Sequence, residues 1–326
     1  MNQIIDVINS NETFIITSHV APDGDNVGSS LALTWFLRAM GKESYYVLDD
    51  SFPQNLAFLY GRERIFDSNE LPKEILNKGY ILIALDCGDI NRLAIEKNII
   101  KAAMKLISID HHQSNNDFGD YNYVVTDASS TSELVYDIIS NIDDNLISPE
   151  IAQALYTGLV TDTGRFQYEN ANNKAFLMAA DLMTKGIDKQ KVTRSIYQSD
   201  SYEFVKLSAE AVSTLEKEGI FSYMFLEKQL LEKYNVNYED TEGLVNYPIS
   251  LEGVELGILF KEKELNQTKV SFRSKEYINV NEIASKFSGG GHMRAAGCTI
   301  NSSLPDAVAS VLDYVREYIK QHGWNY

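Results

Sequence analysis

A parallel α/β domain followed by a smaller α+β domain is the architecture this 326-residue sequence predicts. Three observations carry that expectation. First, the runs TFIITS, SYYVL, YILIALD and KLISID are apolar almost throughout, as strands buried on both faces are. Second, helical patterns separate them, such as Val27 to Met40 closed by Gly41. Strand, helix and strand in repetition build a parallel sheet with helices on both faces. Third, the character changes near Ile220: FSYMFLE, VELGILFKEK and TKVSFRS read as strands, the last two joined by a polar turn at Leu265 to Gln267. A glycine run, GGGHMRAAG, and a helix from Pro305 to about Gln321 complete this part. The expected division is an α/β domain over 1–190, a helical linker over 191–217 and an α+β domain over 218–326.

Composition narrows the function. Acids outnumber bases 46 to 29, for a net charge of −17. Affinity for long nucleic acid rests largely on counterion release by a basic face, so a long polyanion is not an expected partner. A short one held in a local pocket stays open. No apolar run approaches the ~18 residues that cross a bilayer, and MNQIIDVINSNE lacks the features of a signal peptide. No membrane partner is expected. Cys87 and Cys298 share no C-x-x-C spacing and read as reduced thiols of a cytoplasmic protein.

Chemistry concentrates at the ends of the predicted strands. His19, Asp23 and Asp25 lie in SHVAPDGD after TFIITS. Asp86 closes ILIALD, and Asp110, His111 and His112 follow KLIS. In parallel α/β sheets, ligands bind beyond the carboxyl ends of the strands. Singly, such an aspartate is more often a cap or turn former, and a histidine pair is more often simply hydrogen-bonded. Together with Asp162 in GLVTDTGRF they suit hard divalent ions such as Mn²⁺, which take carboxylate oxygens and accept imidazole. Two ions about 3.5–4 Å apart can clamp the attacking and leaving oxygens of a displacement at phosphorus. Two histidines and four aspartates meet that need, and Gly24 lets Asp23 and Asp25 turn toward different ions.

The order H-x-x-x-D-x-D, strand-terminal D, D-H-H, T-D-T-G-x-F and G-G-G-H-x-x-A-A-G resembles the DHH phosphoesterase family, its last motif marking the DHHA1 subfamily. The overall length, ASSTSE and LYTGLVTDTGRF are most similar to its group of bifunctional nanoRNases and phosphatases of 3′-phosphoadenosine 5′-phosphate (pAp). The resemblance implies that His19 and Asp23 hold a first Mn²⁺, that Asp86 bridges, and that Asp25, His111 and Asp162 complete a second site. A hydroxide between the ions would be the nucleophile, His112 would contact the scissile phosphate, and Asp110 would either orient an imidazole or ligate directly. Short RNA oligonucleotides, pAp and possible di-adenylates are the implied substrates, and a homodimer stays open.

In the second domain Gly289, Gly290 and Gly291 would let backbone N–H groups approach a phosphate, although a tight turn explains them too. His292 and Arg273 are the leading contacts for that phosphate, Arg273 through its bidentate fork. Arg294, Lys275 and Arg165 serve equally well as surface residues. SSTSE at Ser129 to Glu133 reads first as a helix cap, and the resemblance keeps open a second role near the active-site edge. A messenger-specific phosphodiesterase for di-adenylates is the enzymatic rival, and a non-catalytic nucleotide sensor is the rival of another class.

Overall fold

The computed structural model describes residues 1–59, 61, 65–291 and 293–324, and the chain divides into two compact units, 1–199 and 200–326. The first holds β1 (Thr13–Ser18), β2 (Glu43–Val47), β3 (Ile65–Phe66), β4 (Ile81–Leu85), β5 (Lys105–Asp110) and β6 (Tyr121–Val124). All are parallel, in the order β3-β2-β1-β4-β5-β6. The helices are α1 (Asn2–Ser10), α2 (Gly24–Ala39), α3 (Lys73–Lys78), α4 (Lys97–Ala102), α5 (Thr131–Asp143), α6 (Pro149–Asp162), α7 (Asn173–Thr184) and α8 (Lys189–Tyr197).

Alternate residues of the central strands enter two different cores. Phe14, Ile16, Ile81, Ile83, Leu85, Ile107 and Ile109 pack with α1, α2 and α5 to α7, whereas Ile15, Leu82, Ala84 and Leu106 pack with α3 and α4. Burial on both faces is why these strands are uniformly apolar instead of alternating. The edge strands β3 and β6 are short and carry partly buried or exposed side chains, so they lack that signature.

Helix α2 begins at Gly24, three residues before the sequence pattern suggests, because the Asp23 side chain caps it by accepting from the Asp25 and Asn26 N–H groups. Its residues from Gly24 to Leu37 are all buried, and glycines allow its backbone to approach α6. A Cβ on Gly28 would lie 2.5 Å from the Ala154 carbonyl oxygen.

The second unit contains β7 (Glu216–Glu218), β8 (Phe221–Leu226), β9 (Leu256–Glu264), β10 (Gln267–Ser274), β11 (Gly290–Gly291) and β12 (Ala295–Ile300), ordered β11-β12-β10-β9-β8-β7. Only the β8–β9 pair is parallel. Helices α9 (Tyr202–Val212), α10 (Lys228–Tyr234), α11 (Asn246–Ile249), α12 (Val280–Lys286) and α13 (Leu304–Gln321) accompany it. The stretch 191–217 divides between the units: α8 buries Val192 in the first, and α9 buries Leu207 and Ala211 in the second. No helix among the described residues is long and apolar enough to cross a membrane.

Candidate metal centre

Strand order reverses between β1 and β4, and the chain leaves both at the same edge of the sheet. This is the switch point where parallel α/β proteins collect ligands. His19 follows β1, Asp86 follows β4 and His111 follows β5. The Nδ1–H of His19 donates to the Val20 carbonyl at 2.8 Å, leaving Nε2 at 3.5 Å from Asp86 Oδ2 and 4.0 Å from Asp23 Oδ2. His111 repeats the arrangement. Its Nδ1–H donates to the Ala128 carbonyl at 3.3 Å, and its Nε2 lies 3.7 Å from Asp86 Oδ1 and 3.6 Å from Asp162 Oδ2. A carbonyl on Nδ1 fixes the tautomer whose Nε2 lone pair is available to a metal.

Three sets of ligand atoms lie within 4.8 Å of one another: His19, Asp23 and Asp86; Asp25, His111 and Asp162; and Asp86, His111 and His112. The structure therefore gathers every sequence-predicted ligand, with Asp86 presenting one oxygen to each histidine. Asp86 is 2% exposed and adopts φ +54°, a left-handed conformation costly for a non-glycine residue, on the order of 1–3 kcal/mol. Its backbone N–H is tied to the Ile109 carbonyl and its Oδ1 accepts from Thr131 Oγ1 at 3.0 Å.

Helix α5 meets the site with its N-terminus. The Thr131 and Ser132 N–H groups donate to Asp25 Oδ2 and Oδ1 at 2.6 and 2.9 Å, a favourable seat for a carboxylate. Each of those oxygens keeps a lone pair for a cation. Gly158 permits the approach: a Cβ there would lie 2.0 Å from Ser132 Oγ and 2.6 Å from Asp25 Oδ1. Asn170 donates to Asp162 Oδ2 at 3.2 Å and to the Ser129 carbonyl at 2.8 Å. Asn170 carried no signal in the sequence, and SSTSE, which holds Thr131 and Ser132, is both the cap it first looks like and a neighbour of the ligands, the second role its family resemblance kept open.

The electrostatics favour cations. Burial, with Asp86 and Asp162 nearby, pushes Asp25 well above the usual carboxylate range. Burial and the neighbouring Asp86 and Asp23 raise Asp162 to about 7. Burial alone would raise Asp86 as well, but His19, His112 and His111 hold it down at about 2. Such crowding is relieved by metal ions, and the imidazole and carboxylate donors fit a hard divalent one.

The Asp110 carboxylate meets the His112 ring and the backbone of both histidines. Its Oδ1 accepts from His112 Nδ1 at 2.6 Å and from the His111 and His112 N–H groups, while Oδ2 accepts from Asn115 at 2.7 Å. Burial would lower His112, yet Asp110 and Asp86 raise it to about 9.

A family model for the DHH family, N-terminal domain, matches residues 13–159, and one for the DHHA1 domain matches 216–321. A Thermus thermophilus protein named bifunctional oligoribonuclease and PAP phosphatase NrnA is 33% identical over 95% of this chain and 91% of its own length. The chain belongs to the DHH family. It is accordingly a phosphoesterase, a hydrolase of phosphoester bonds. A Bacillus subtilis protein of the same name is 28% identical over 98% of this chain and 99% of its own. The crystal structure of an exopolyphosphatase-related protein from Bacteroides fragilis superposes with a TM-score of 0.91 at 29% identity, covering 98% and 96% of the two chains.

Within the DHHA1 domain Gly289 has no room for a side chain, because a Cβ would meet the Gly297 carbonyl at 2.2 Å, and Gly291 takes φ +149°. Gly290 is exposed and pairs with Gly297. Arg273 is the penultimate residue of β10 and donates to the Phe272 carbonyl at 3.0 Å. Arg294 donates to the Ile278 and Glu276 carbonyls, which binds two loops together, and Lys275 donates to Leu251. His292 lies outside the described residues. In the DHH domain, the Arg165 guanidinium stacks over Tyr197 at 4.3 Å. Both cysteines are free and buried.

Proposed function

We propose that this chain is a Mn²⁺-dependent phosphoesterase that degrades short oligoribonucleotides to mononucleotides and hydrolyses pAp to AMP and phosphate. The observation that carries the reading is the division of Asp86 between two half-sites, Oδ2 toward His19 and Oδ1 toward His111. His19, Asp23 and Asp86 would hold one ion; Asp25, His111 and Asp162 would hold the other with Asp86. The ions, when bound, supply charge neutralisation at the phosphoryl group and an acidified water. The names of the Thermus and Bacillus relatives support the substrates.

The remaining work falls to the chain's own groups. Asp110 accepts from His112 Nδ1 and favours the protonated ring, from which Nε2 would deliver a proton to the leaving oxygen. Asn115 holds Asp110 in place. The glycine run, with His292 and Arg273, would receive the phosphate that is not cut. Net charge −17 penalises long polyanions, which suits a preference for short ones.

The test is a substrate series with Mn²⁺: oligoribonucleotides of increasing length, pAp and linear and cyclic di-adenylates, ranked by kcat/KM. Short RNA and pAp should lead, and chelator should abolish turnover. Indifference to both manganese and chelator would overturn the reading. A dominant di-adenylate activity would replace the substrate while leaving the chemistry intact.

A further inference from the structure

We infer that Thr131 is a positioning residue for one half of the metal centre only, the half formed by Asp25, His111 and Asp162. The inference rests on the proposal that two cations occupy the paired half-sites. Thr131 is fully buried and touches two carboxylates that lie far from it in sequence. Its N–H donates to Asp25 Oδ2 at 2.6 Å, and its Oγ1 donates to Asp86 Oδ1 at 3.0 Å.

The second contact is selective. Asp86 Oδ1 is the oxygen near His111, at 3.7 Å, and His112, at 3.6 Å, whereas Oδ2 is the one near His19, at 3.5 Å. Oδ1 therefore has a hydroxyl donor fixing it and Asp25 has a backbone donor from the same residue. On the other half, Asp23 depends on the N–H groups of Asp25 and Asn26 at its own helix start, with no contribution from Thr131. One residue thus holds Asp25 and the oxygen of the shared Asp86 that faces the same half-site in register. Groups in this role commonly change metal affinity by about 10–100-fold when removed.

Thr131→Val deletes the hydroxyl and keeps the backbone N–H and the side-chain shape. Titration of the metal-free protein with Mn²⁺, followed by calorimetry and by electron paramagnetic resonance, reads the two ions separately from turnover. Wild type should bind two, with the spin coupling of a close pair. T131V should bind one with unchanged affinity and the second roughly 10-fold or more weakly, losing the coupled signal at limiting Mn²⁺. T131S, which restores the hydroxyl, should recover both. Should T131V not fold by circular dichroism, Thr131→Ala, which loses both the hydroxyl and the γ-methyl, is read against T131S, which lacks the same methyl and keeps the hydroxyl.

Equal affinities in T131V and wild type would overturn the inference, as would equal weakening of both ions. Loss of the second ion in T131S would also overturn it, since packing by the methyl group would then be the cause. A wild type that binds fewer than two ions would instead defeat the proposed two-ion function, so the two failures are distinguishable.

Discussion

Around Asp86 in the DHH domain, the ion-pair partners of Asp23, Asp86, Asp110 and Asp162 among the described residues are all imidazoles. Around Lys261 in the DHHA1 domain the chain balances its own charge. The Lys261 side chain is 0% exposed and its Nζ lies 2.6 Å from Glu242 Oε1, which also meets Lys269 at 2.9 Å. Thr241 Oγ1 at 3.2 Å and the Tyr238 ring at 4.3 Å complete its surroundings. Burial would raise Glu242, but the two lysines keep its carboxyl below the ordinary range. A buried charge that finds its partner within the chain serves the fold. A cluster left with surplus carboxylates is arranged for something supplied from outside.

Replacing groups in the two clusters should therefore damage different properties. The largest effect is expected from Asp86→Asn, which keeps side-chain shape and tolerates the left-handed backbone. Turnover should fall by on the order of 10³-fold or more, and Mn²⁺ binding should weaken, while the thermal transition stays cooperative. Normal turnover would break the comparison.

Asp110→Asn comes next. Without the charge that holds its proton, His112 should move down from about 9 toward its ordinary 6.5. A proton donor active when charged loses activity at lower pH once its pKa falls, so the alkaline limb of the kcat profile should shift to lower pH. Turnover near the optimum should drop by roughly 10²-fold. An unmoved alkaline limb would remove His112 from that role. Gly158→Ala should be milder, as its Cβ displaces Ser132 and Asp25: Mn²⁺ affinity should fall about 10-fold in a titration of the metal-free protein.

The smallest effects belong to the second cluster and concern stability alone. Glu242→Gln should cost about 1–2 kcal/mol in denaturant unfolding, less than a fully buried pair because Glu242 is half exposed. Since the folded-state carboxyl lies below its ordinary 4.5, this contribution is present above that pH. It disappears as pH falls through the depressed value, so the gap between variant and wild type should close in acid. Lys261→Met should remain within about 1 kcal/mol of wild type. Neither change should alter Mn²⁺ uptake, and a loss of metal binding in either would contradict the contrast.

Much of this was legible in the sequence because buried parallel strands announce themselves. TFIITS, YILIALD and KLISID coincide with β1, β4 and β5, and the charged residues that follow them stand at the carboxyl edge. The short edge strands β3 and β6 escaped notice, lacking two buried faces. The N-terminal turn of α2 escaped too, because Asp23 both caps the helix and faces His19. For Thr131 the resemblance of SSTSE left only a general role near this edge open: its partners are 106 and 45 residues away, and nothing local distinguishes a cap from a tether. Arg294 looked equally suited to phosphate or surface, and only the loop carbonyls it meets show how its donors are used.

The backbone at Asp86 has one more implication. Glycine or asparagine would rest more comfortably at φ +54°, and either would dilute the crowd of like charges around it. The wild-type chain is thus less durable than an inert version of itself would be. Variants selected only for heat resistance should drift toward silence at this position, and screens for hardier forms of the protein need turnover as a second criterion.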